Sequence, residues 1–230
     1  MTATSLSDER PAQVALAVVL QVREGRLNVL LWQRAQEPER GRWALPGGTL
    51  EPGESLEQSI LRQLAEKVSI DHVAHLEQLG TWSDPGRYPE WQLATAYLGL
   101  VPADLSPALP EDTRFHPVER LPKLAFDHKT LVKAAQERLK AKLSYTNIGF
   151  ALAPRRFTLS ELRDLYAPAL GHEISVSNLQ RVLVRRGVLE EVGETRPSGS
   201  AGGRPAQLFR FSKQELEVTD QFAVLGPPRR

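Results

Sequence analysis

Apolar positions in the N-terminal half of the chain follow two spacings, one typical of strands and one typical of helices. The run VALAVVLQV at 14–22 predicts a buried strand, and LNVLLWQ at 27–33 predicts a second strand after a polar turn. Residues 92–101 predict a further strand. From Glu54 onward, apolar side chains recur at every fourth position, which predicts a helix. The residues that carry this period are Leu56, Ile60 and Leu64.

A second helical segment precedes a change of pattern, and we place a domain boundary there. The segment from Asp127 to Leu143 repeats apolar residues at four-residue spacing with basic residues outside, which predicts a long amphipathic helix. The following residues 144–154 lack this period and predict a connector. The sequence therefore predicts two domains, 1–148 and 149–230.

The C-terminal domain has the order helix, turn, helix, hairpin. The capping-box pattern TLSE at 158–161 predicts the start of a helix that runs to Tyr166, and Ser175 predicts the cap of a second helix. Two strands are predicted at 188–192 and 207–211, joined by a loop rich in Gly, Ser and Arg. This order predicts a winged helix.

Composition restricts the classes of protein that remain. A chain of 230 residues with 41% hydrophobic content can bury two modest cores. It has no cysteine, its N-terminal segment has no apolar signal region, and it contains no run of 18 apolar residues. We therefore expect a cytoplasmic protein without disulfides or thiolate metal sites. Residues 150–230 carry 12 Lys and Arg against 9 Asp and Glu, which is compatible with nucleic acid binding.

The predicted helix at Glu54 belongs to a longer pattern of fixed spacing. WALPGG at 43–48 ends in Gly48, Glu54 follows after five residues, and RQLAEKVSI at 62–70 follows after seven more. This pattern resembles the Nudix family. The resemblance implies an α/β (α+β) fold, in which an N-terminal Nudix α/β/α sandwich precedes the winged helix-turn-helix domain.

The residues within this box depart from those of a Nudix enzyme. The family hydrolyses diphosphates linked to another moiety and holds Mg²⁺ or Mn²⁺ through carboxylates at i, i+3 and i+4 of this helix, positions that share one helical face. Those positions are here Gln63, Glu66 and Lys67, so only one carboxylate remains. We expect no bound metal, no catalytic residue and no cofactor. We expect Arg62 to pair with Glu54 instead of contacting a substrate.

Two other interpretations of this segment stay open. The helix could be a solvated amphipathic element without chemistry, although the glycine-rich entry and the spacing argue against that. Alternatively, the protein could be an active Nudix hydrolase, such as an ADP-ribose pyrophosphatase, with an accessory winged helix. Gln63 and Lys67 argue against this second interpretation, because an ammonium repels the cation that the reaction needs.

A loop at 82–91 carries the candidate ligand residues. Its Arg87-Tyr88-Pro89 segment resembles the RDPR loop of Nudix relatives that recognise ADP-ribose, although Tyr88, Glu90 and Trp91 depart from that loop. We expect Arg34 and Arg87 to contact a diphosphate and Tyr88 or Trp91 to stack on a base or ribose. The effector would be ADP-ribose or a related nucleotide. Alternatively, the tryptophans are hydrophobic anchors and the arginines lie on the surface.

The whole chain, from about 14 to 211, resembles the NrtR-type transcriptional regulators of NAD metabolism. The segments that carry the resemblance are LAFDH at 124–128, FTLSELRDLY at 157–166, SNLQRVL at 177–183 and GGRPAQLFRF at 202–211. The resemblance implies a homodimeric repressor of NAD-metabolism genes that binds double-stranded DNA at a palindromic operator. We expect His128 to have a hydrogen-bonded structural role, because no second ligand lies at metal-binding spacing from it.

Polar and cationic residues occupy the positions that a DNA-binding winged helix needs. The recognition helix presents its outer face to the major groove, and the wing follows the phosphates or the minor groove. Taken one at a time, each of these side chains is equally compatible with a solvated surface position. A second alternative is a winged helix that binds a protein and not DNA. The candidate DNA-binding residues are Arg155, Ser177, Asn178, Gln180, Arg181, Arg185, Arg196 and Arg204.

Overall fold

The computed structural model describes residues 11–197 and 205–220. The N-terminal unit contains, in chain order, β1 (Ala12–Arg23), β2 (Arg26–Gln33), β3 (Trp43–Ala44), β4 (Gly47–Thr49), α1 (Leu56–Val68), β5 (His75–Trp82), β6 (Gln92–Leu100), β7 (Thr113–Pro117) and α2 (His128–Tyr145). The C-terminal unit contains α3 (Leu159–Leu170), α4 (Val176–Arg185), β8 (Leu189–Arg196) and β9 (Ala206–Phe211). The strands and helices that the hydrophobic pattern predicts are present in both units.

The strands of the N-terminal unit form one mixed sheet with β1 at its centre. The order is β3-β2-β1-β6-β5, with β4 paired to β1 and β7 paired to β2. Strands β1 and β6 are parallel, and the other pairs are antiparallel. Because β1 has covered faces on both sides, its whole length is apolar, as the run at 14–22 predicts.

Successive residues of β1 point to opposite faces of the sheet and belong to two apolar clusters. One cluster lies under α1, and the other lies under α2 and the C-terminal unit. The first includes Ala15, Ala17 and Val19, and the second includes Leu16, Val18 and Leu20. The sheet is thus covered by helices on both faces, which is the α/β/α sandwich predicted for this half of the chain.

Strand β7 is absent from the sequence-based prediction. It covers Thr113–Pro117 and pairs with β2 from Asn28 to Trp32. Prolines at both ends, Pro110 and Pro117, hide the short strand from a periodicity argument. Its position comes from the exposed edge of β2, which needs a partner for its backbone groups.

Two helices extend beyond their predicted ends. The helix predicted from Asp127 to Leu143 begins at His128 and ends at Tyr145. The helix predicted to reach Tyr166 continues to Leu170, although Pro168 lies in its last turn. It continues because Ala169 and Leu170 are buried, and Gly171 ends it in a left-handed conformation at φ 75°.

The junction between the two units is buried. A 3-10 turn at Ile148–Ala151 follows α2, and all four of its residues are buried. The C-terminal segment returns to the same place, where Asn147 bonds to the backbone of Glu215 and Glu217. The second apolar cluster runs without interruption from the sheet into the C-terminal unit.

Within the described ranges, no helix combines the length and the apolar character needed to cross a membrane.

Candidate functional site

Helix α1 carries the Nudix pattern, and Arg62 in the middle of this helix pairs with Glu54 in the loop before it. Arg62 donates from Nε to Oε2 of Glu54 at 3.0 Å and from Nη2 to Oε1 at 2.7 Å. The backbone N–H of Glu51 donates to the same carboxylate at 2.7 Å. The hydrogen bonds from Arg62 hold the pKa of Glu54 at about 2. The pairing predicted from the sequence is observed. The guanidinium of Arg62 and the carboxylate of Glu54 neutralise each other.

The positions that hold metal ligands in Nudix enzymes carry a different set of groups. Gln63 is buried against Gly48, where an added Cβ would lie 2.6 Å from Nε2 of Gln63. Its Oε1 has no hydrogen-bond partner among the described residues. Glu66 is exposed and lies 3.5 Å from Nη1 of Arg62.

The ammonium of Lys67 lies beside Gly47, at the start of the short strand β4 that precedes α1. Its Nζ donates to the carbonyl of Gly47 at 2.8 Å and lies 5.4 Å from the ring centroid of Trp32. Partial burial lowers the pKa of Lys67, and the charges of Arg62 and Arg34 lower it further.

These donors do not fit a divalent cation. One buried amide, one exposed carboxylate and one ammonium stand where three oxygen ligands are needed. In the part of the chain that the structure describes, no group of three or more His, Cys, Asp and Glu side chains could hold a metal ion.

A cavity of about 610 Å³ opens beside the box. Three of the four residues predicted to bind a ligand, Arg34, Arg87 and Tyr88, line it, and Lys67 lines it as well. Trp91 does not line the cavity, and 57% of its surface is exposed. The structure therefore separates Trp91 from the other three.

Arg87 lines the cavity and pairs with Asp127, whose side chain is 24% exposed. Arg87 donates from Nε to Oδ2 at 3.0 Å and from Nη2 to Oδ1 at 2.7 Å, and its side chain is 6% exposed. The alternative that Arg87 is a surface residue is wrong, because this pair and the surrounding protein enclose it.

Phe126 connects the other predicted ligand residues. Its ring lies 4.2 Å from that of Tyr88, and Cζ of Arg34 lies 4.8 Å from its centroid. The sequence prediction includes neither Phe126, which lines the cavity, nor Asp127, which pairs with Arg87. Both belong to the segment LAFDH at 124–128, which the sequence indicates only as part of the family resemblance.

His128 has the structural role predicted for it. The backbone N–H of Leu45 donates to its Nδ1 at 3.0 Å. Burial lowers the pKa of His128 to about 3, and the charges of Arg87 and Arg34 contribute to this shift. The imidazole is therefore neutral and fastens the start of α2 to the loop beside the cavity.

Helix α4 presents the polar face that the sequence predicts. Ser177, Gln180, Arg181 and Arg185 are exposed, whereas the apolar side of the helix is buried. Arg181 donates to Oδ1 of Asn178 at 2.7 Å.

Acidic side chains meet several of the basic residues around this face. Arg185 lies 3.4 Å from Asp220, and Arg196 of the hairpin pairs with Glu161 at the start of α3. Arg156 lies next to the exposed Arg155 and pairs with Glu194 at 2.7 Å. Arg204 lies outside the described residues.

Arg186, at the end of α4, was missed as a functional candidate. It is 9% exposed and donates to the carbonyls of Leu143 and Thr146 at the end of α2 and to Oγ1 of Thr219. A signal was available, because Arg186 follows Leu179 and Leu183 on the inner stripe of the helix.

Comparisons with known proteins agree with this architecture. A family model for the NUDIX domain matches residues 11–135, and one for the NrtR DNA-binding winged helix domain matches residues 149–211. The chain is 34% identical over 215 residues to the ADPR responsive transcriptional repressor NtrR of Acinetobacter baylyi, covering 90% of this chain and 84% of the relative.

Two solved structures extend the comparison. The crystal structure of Shewanella oneidensis NrtR complexed with a 27mer DNA has a TM-score of 0.75 and 33% identity, covering 93% of this chain and 97% of that one. The NUDIX domain of the same protein complexed with ADP ribose has a TM-score of 0.50 and 34% identity, covering 57% of this chain and 90% of that one. The resemblances predicted from the sequence are confirmed: the chain belongs to the NrtR family, in which a Nudix domain precedes a winged helix domain.

Proposed function

We propose that this protein is an ADP-ribose-responsive repressor that binds the palindromic operators of NAD-metabolism genes as a homodimer. One observation carries the proposal: α2, which forms part of the cavity lining, is also held by Arg186, the residue directly after the recognition helix α4. His128 at the start of α2 lines the cavity, and Arg186 binds the carbonyls at the end of α2. The likeness to repressors of the same architecture supports it.

DNA recognition is assigned to α4 and the hairpin. The exposed Ser177, Gln180 and Arg181 of α4 would face base edges in the major groove. Arg196 at the end of β8 and Arg204 further along the chain, together with Arg155, would contact phosphates, which carry affinity without sequence information.

Ligand recognition is assigned to the cavity beside the box. Its volume of about 610 Å³ suits a nucleotide-sized molecule. Arg34 and Arg87 offer guanidinium donors to a diphosphate, and the ring of Tyr88 offers a stacking surface. We assign no ligand contact to Trp91, because it lies outside the cavity lining.

The two sites are coupled through α2, which is about 27 Å long for its 18 residues. A diphosphate that attracts Arg87 competes with Asp127, whose carboxylate accepts hydrogen bonds from Nε and Nη2 of that guanidinium. Release of Asp127 loosens the start of α2. The opposite end of α2 then moves the recognition helix α4 through Arg186. The ligand thereby favours an arrangement of the two DNA-binding units that fits the operator less well.

A mobility-shift assay on DNA from upstream of the gene tests this assignment. We expect Arg181→Ala and Arg204→Ala each to weaken binding by about 1–3 kcal/mol, with the first also relaxing sequence preference. Arg120→Ala is the matched control, because Arg120 is exposed on the Nudix unit far along the chain from α4. Binding that stays unchanged in both variants would remove these residues from the DNA interface.

We also propose that the Nudix domain does not hydrolyse ADP-ribose, because Gln63 and Lys67 replace two carboxylate ligands. An assay for the products AMP and ribose 5-phosphate, with ADP-ribose and Mg²⁺ or Mn²⁺, should show no turnover by the natural protein. The double variant Gln63→Glu with Lys67→Glu should gain activity. Turnover by the natural protein would favour the hydrolase alternative, and a double variant without activity would count against the argument from the missing ligands.

A further inference from the structure

Two cations that line the cavity have no carboxylate at ion-pair distance among the residues that the structure describes. Arg87 is neutralised by Asp127, but Arg34 donates its Nε to the carbonyl of Pro38 and stacks on an aromatic ring. Lys67 likewise contacts a carbonyl and an aromatic ring. Within residues 11–197 and 205–220, neither side chain has a carboxylate at ion-pair distance.

We propose that Lys67 is a ligand-binding residue, the built-in counter-ion for the diphosphate of the effector, which therefore binds without a divalent metal. This inference rests on the cavity assigned to ligand binding in the proposed function. Lys67 thus has a role beyond the loss of a metal ligand. The chemical class that it selects is a diphosphate diester.

The position of the ammonium is set by the backbone around it. Gly47 lies so close to β1 that an added Cβ would be 2.2 Å from the carbonyl oxygen of Ala15. Its own carbonyl is therefore held in place, and it fixes Nζ of Lys67 at 2.8 Å. An ammonium has three N–H donors, and the carbonyl takes one of them. The others remain for a ligand, since Gly47, Gly48 and Lys67 all line the cavity.

The charges of the cavity match the charge of a diphosphate diester, which carries two negative charges at neutral pH. Lys67 and Arg34 supply two positive charges, and neither forms an ion pair with a carboxylate of the described residues. Glu90, a carboxylate in the cavity lining, is exposed to solvent and opposes them weakly. Partial burial, Arg62 and Arg34 together lower the pKa of Lys67, although the exposed carboxylate of Glu66 opposes the shift, and a bound diphosphate would favour the ammonium.

The lysine at position 67 thus removes a carboxylate ligand of the metal and supplies the positive charge that the metal would have provided. Lys67 stands at the helical position where a Nudix enzyme has a carboxylate ligand, so its ammonium excludes a cation from that place. A lysine neutralises phosphate charge as a point charge, which retains the ligand without activating water. The site is in this way suited to binding a diphosphate without cleaving it.

Isothermal titration calorimetry of the full chain with ADP-ribose, in EDTA and in excess Mg²⁺, tests this inference. We expect the same Kd for the natural protein in both buffers, within about twofold. Lys67→Met should weaken binding in EDTA by about 10- to 100-fold, as expected for a lost charge-assisted hydrogen bond. Lys67→Arg should retain most of the affinity. Lys133→Met, an exposed lysine of α2 outside the cavity lining, should bind as the natural protein does.

A further variant separates a ligand contact from a merely structural role. In Lys67→Glu, binding should be weak in EDTA and should recover partly with Mg²⁺, because a carboxylate attracts the cation that the lysine replaced. Circular dichroism melts of every variant check that the fold is retained.

Three results would overturn the inference: equal affinity of Lys67→Met and the natural protein, a Mg²⁺ requirement in the natural protein, or no binding of either ADP-ribose or NAD, which are both diphosphate diesters. A failure of the proposed effector alone gives a different result. If ADP-ribose does not bind but NAD binds in a manner that depends on Lys67, the role of Lys67 stands and the choice of ADP-ribose is wrong.

Discussion

The buried imidazole of His128 makes the stability of this protein depend on pH. Its pKa is about 3 in the folded protein and near 6.5 in the unfolded chain, so the unfolded chain takes up the proton first as the pH falls. The contribution of the neutral imidazole is fully present above about pH 6.5 and is lost as the pH falls toward about 3. Between about pH 7.5 and about pH 5, we expect the free energy of unfolding to fall by about 2 kcal/mol through this group.

Urea unfolding at the two pH values measures this loss. His128→Asn is the matched variant, because its Oδ1 can accept the N–H of Leu45 and the side chain does not titrate. The variant should lose about 2 kcal/mol less than the natural protein over the same interval. An equal loss in both proteins would mean that other groups cause the pH dependence.

At the scale of single elements, the hairpin and α3 share a carboxylate. Glu161 accepts the N–H of Thr158 at 2.8 Å to complete a capping box, and it also pairs with Arg196 of the hairpin. Helix α1 uses a glutamine in the same capping role, where Gln58 accepts the N–H of Ser55. A neutral amide can therefore replace the carboxylate without loss of the cap.

We expect Glu161→Gln to strengthen DNA binding about two- to fivefold at low salt, because it frees Arg196 and removes a negative charge from the DNA-binding face. The gain should shrink as salt is raised, since it comes from screened charges. Fluorescence anisotropy with a labelled operator measures it, and Glu119→Gln on the Nudix unit is the control. Weaker binding by Glu161→Gln would show that the pair with Arg196 orders the hairpin for DNA instead of competing with it.

At the scale of the whole molecule, Arg186 joins the recognition helix to the helix that borders the ligand cavity. Its guanidinium bonds to the carbonyl of Leu143 and to Thr219, so the end of α4, the end of α2 and the C-terminal segment meet at one side chain. We expect these hydrogen bonds, and not only the apolar cluster that also spans α2 and α4, to carry a motion of α2 to α4. The coupling between ligand and DNA should therefore depend on Arg186, although it touches neither of them.

For Arg186→Met, we expect the ratio of operator Kd values with and without saturating ADP-ribose to fall toward one, while ADP-ribose itself binds normally. Anisotropy titrations in both conditions give the ratio, and Arg120→Met is the control for loss of an arginine elsewhere. A denaturation curve checks that the variant is folded. A ratio equal to that of the natural protein would exclude Arg186 from the coupling path.

The sequence by itself determined the parts of this protein that depend on neighbours along the chain. Helical periods, caps and the spacing of the box involve residues a few positions apart, where backbone geometry alone sets the distance. The pair of Arg62 with Glu54, eight residues apart, belongs to this group.

Only the tertiary structure decided which distant side chains share a site. Arg87 meets Asp127 across 40 residues, and His128 meets Leu45 across 83. These contacts depend on which strands are neighbours in the sheet and on where α2 packs, and no local period encodes either. For the same reason Trp91, close to Arg87 in the chain, lies outside the cavity, whereas Lys67 lies within it.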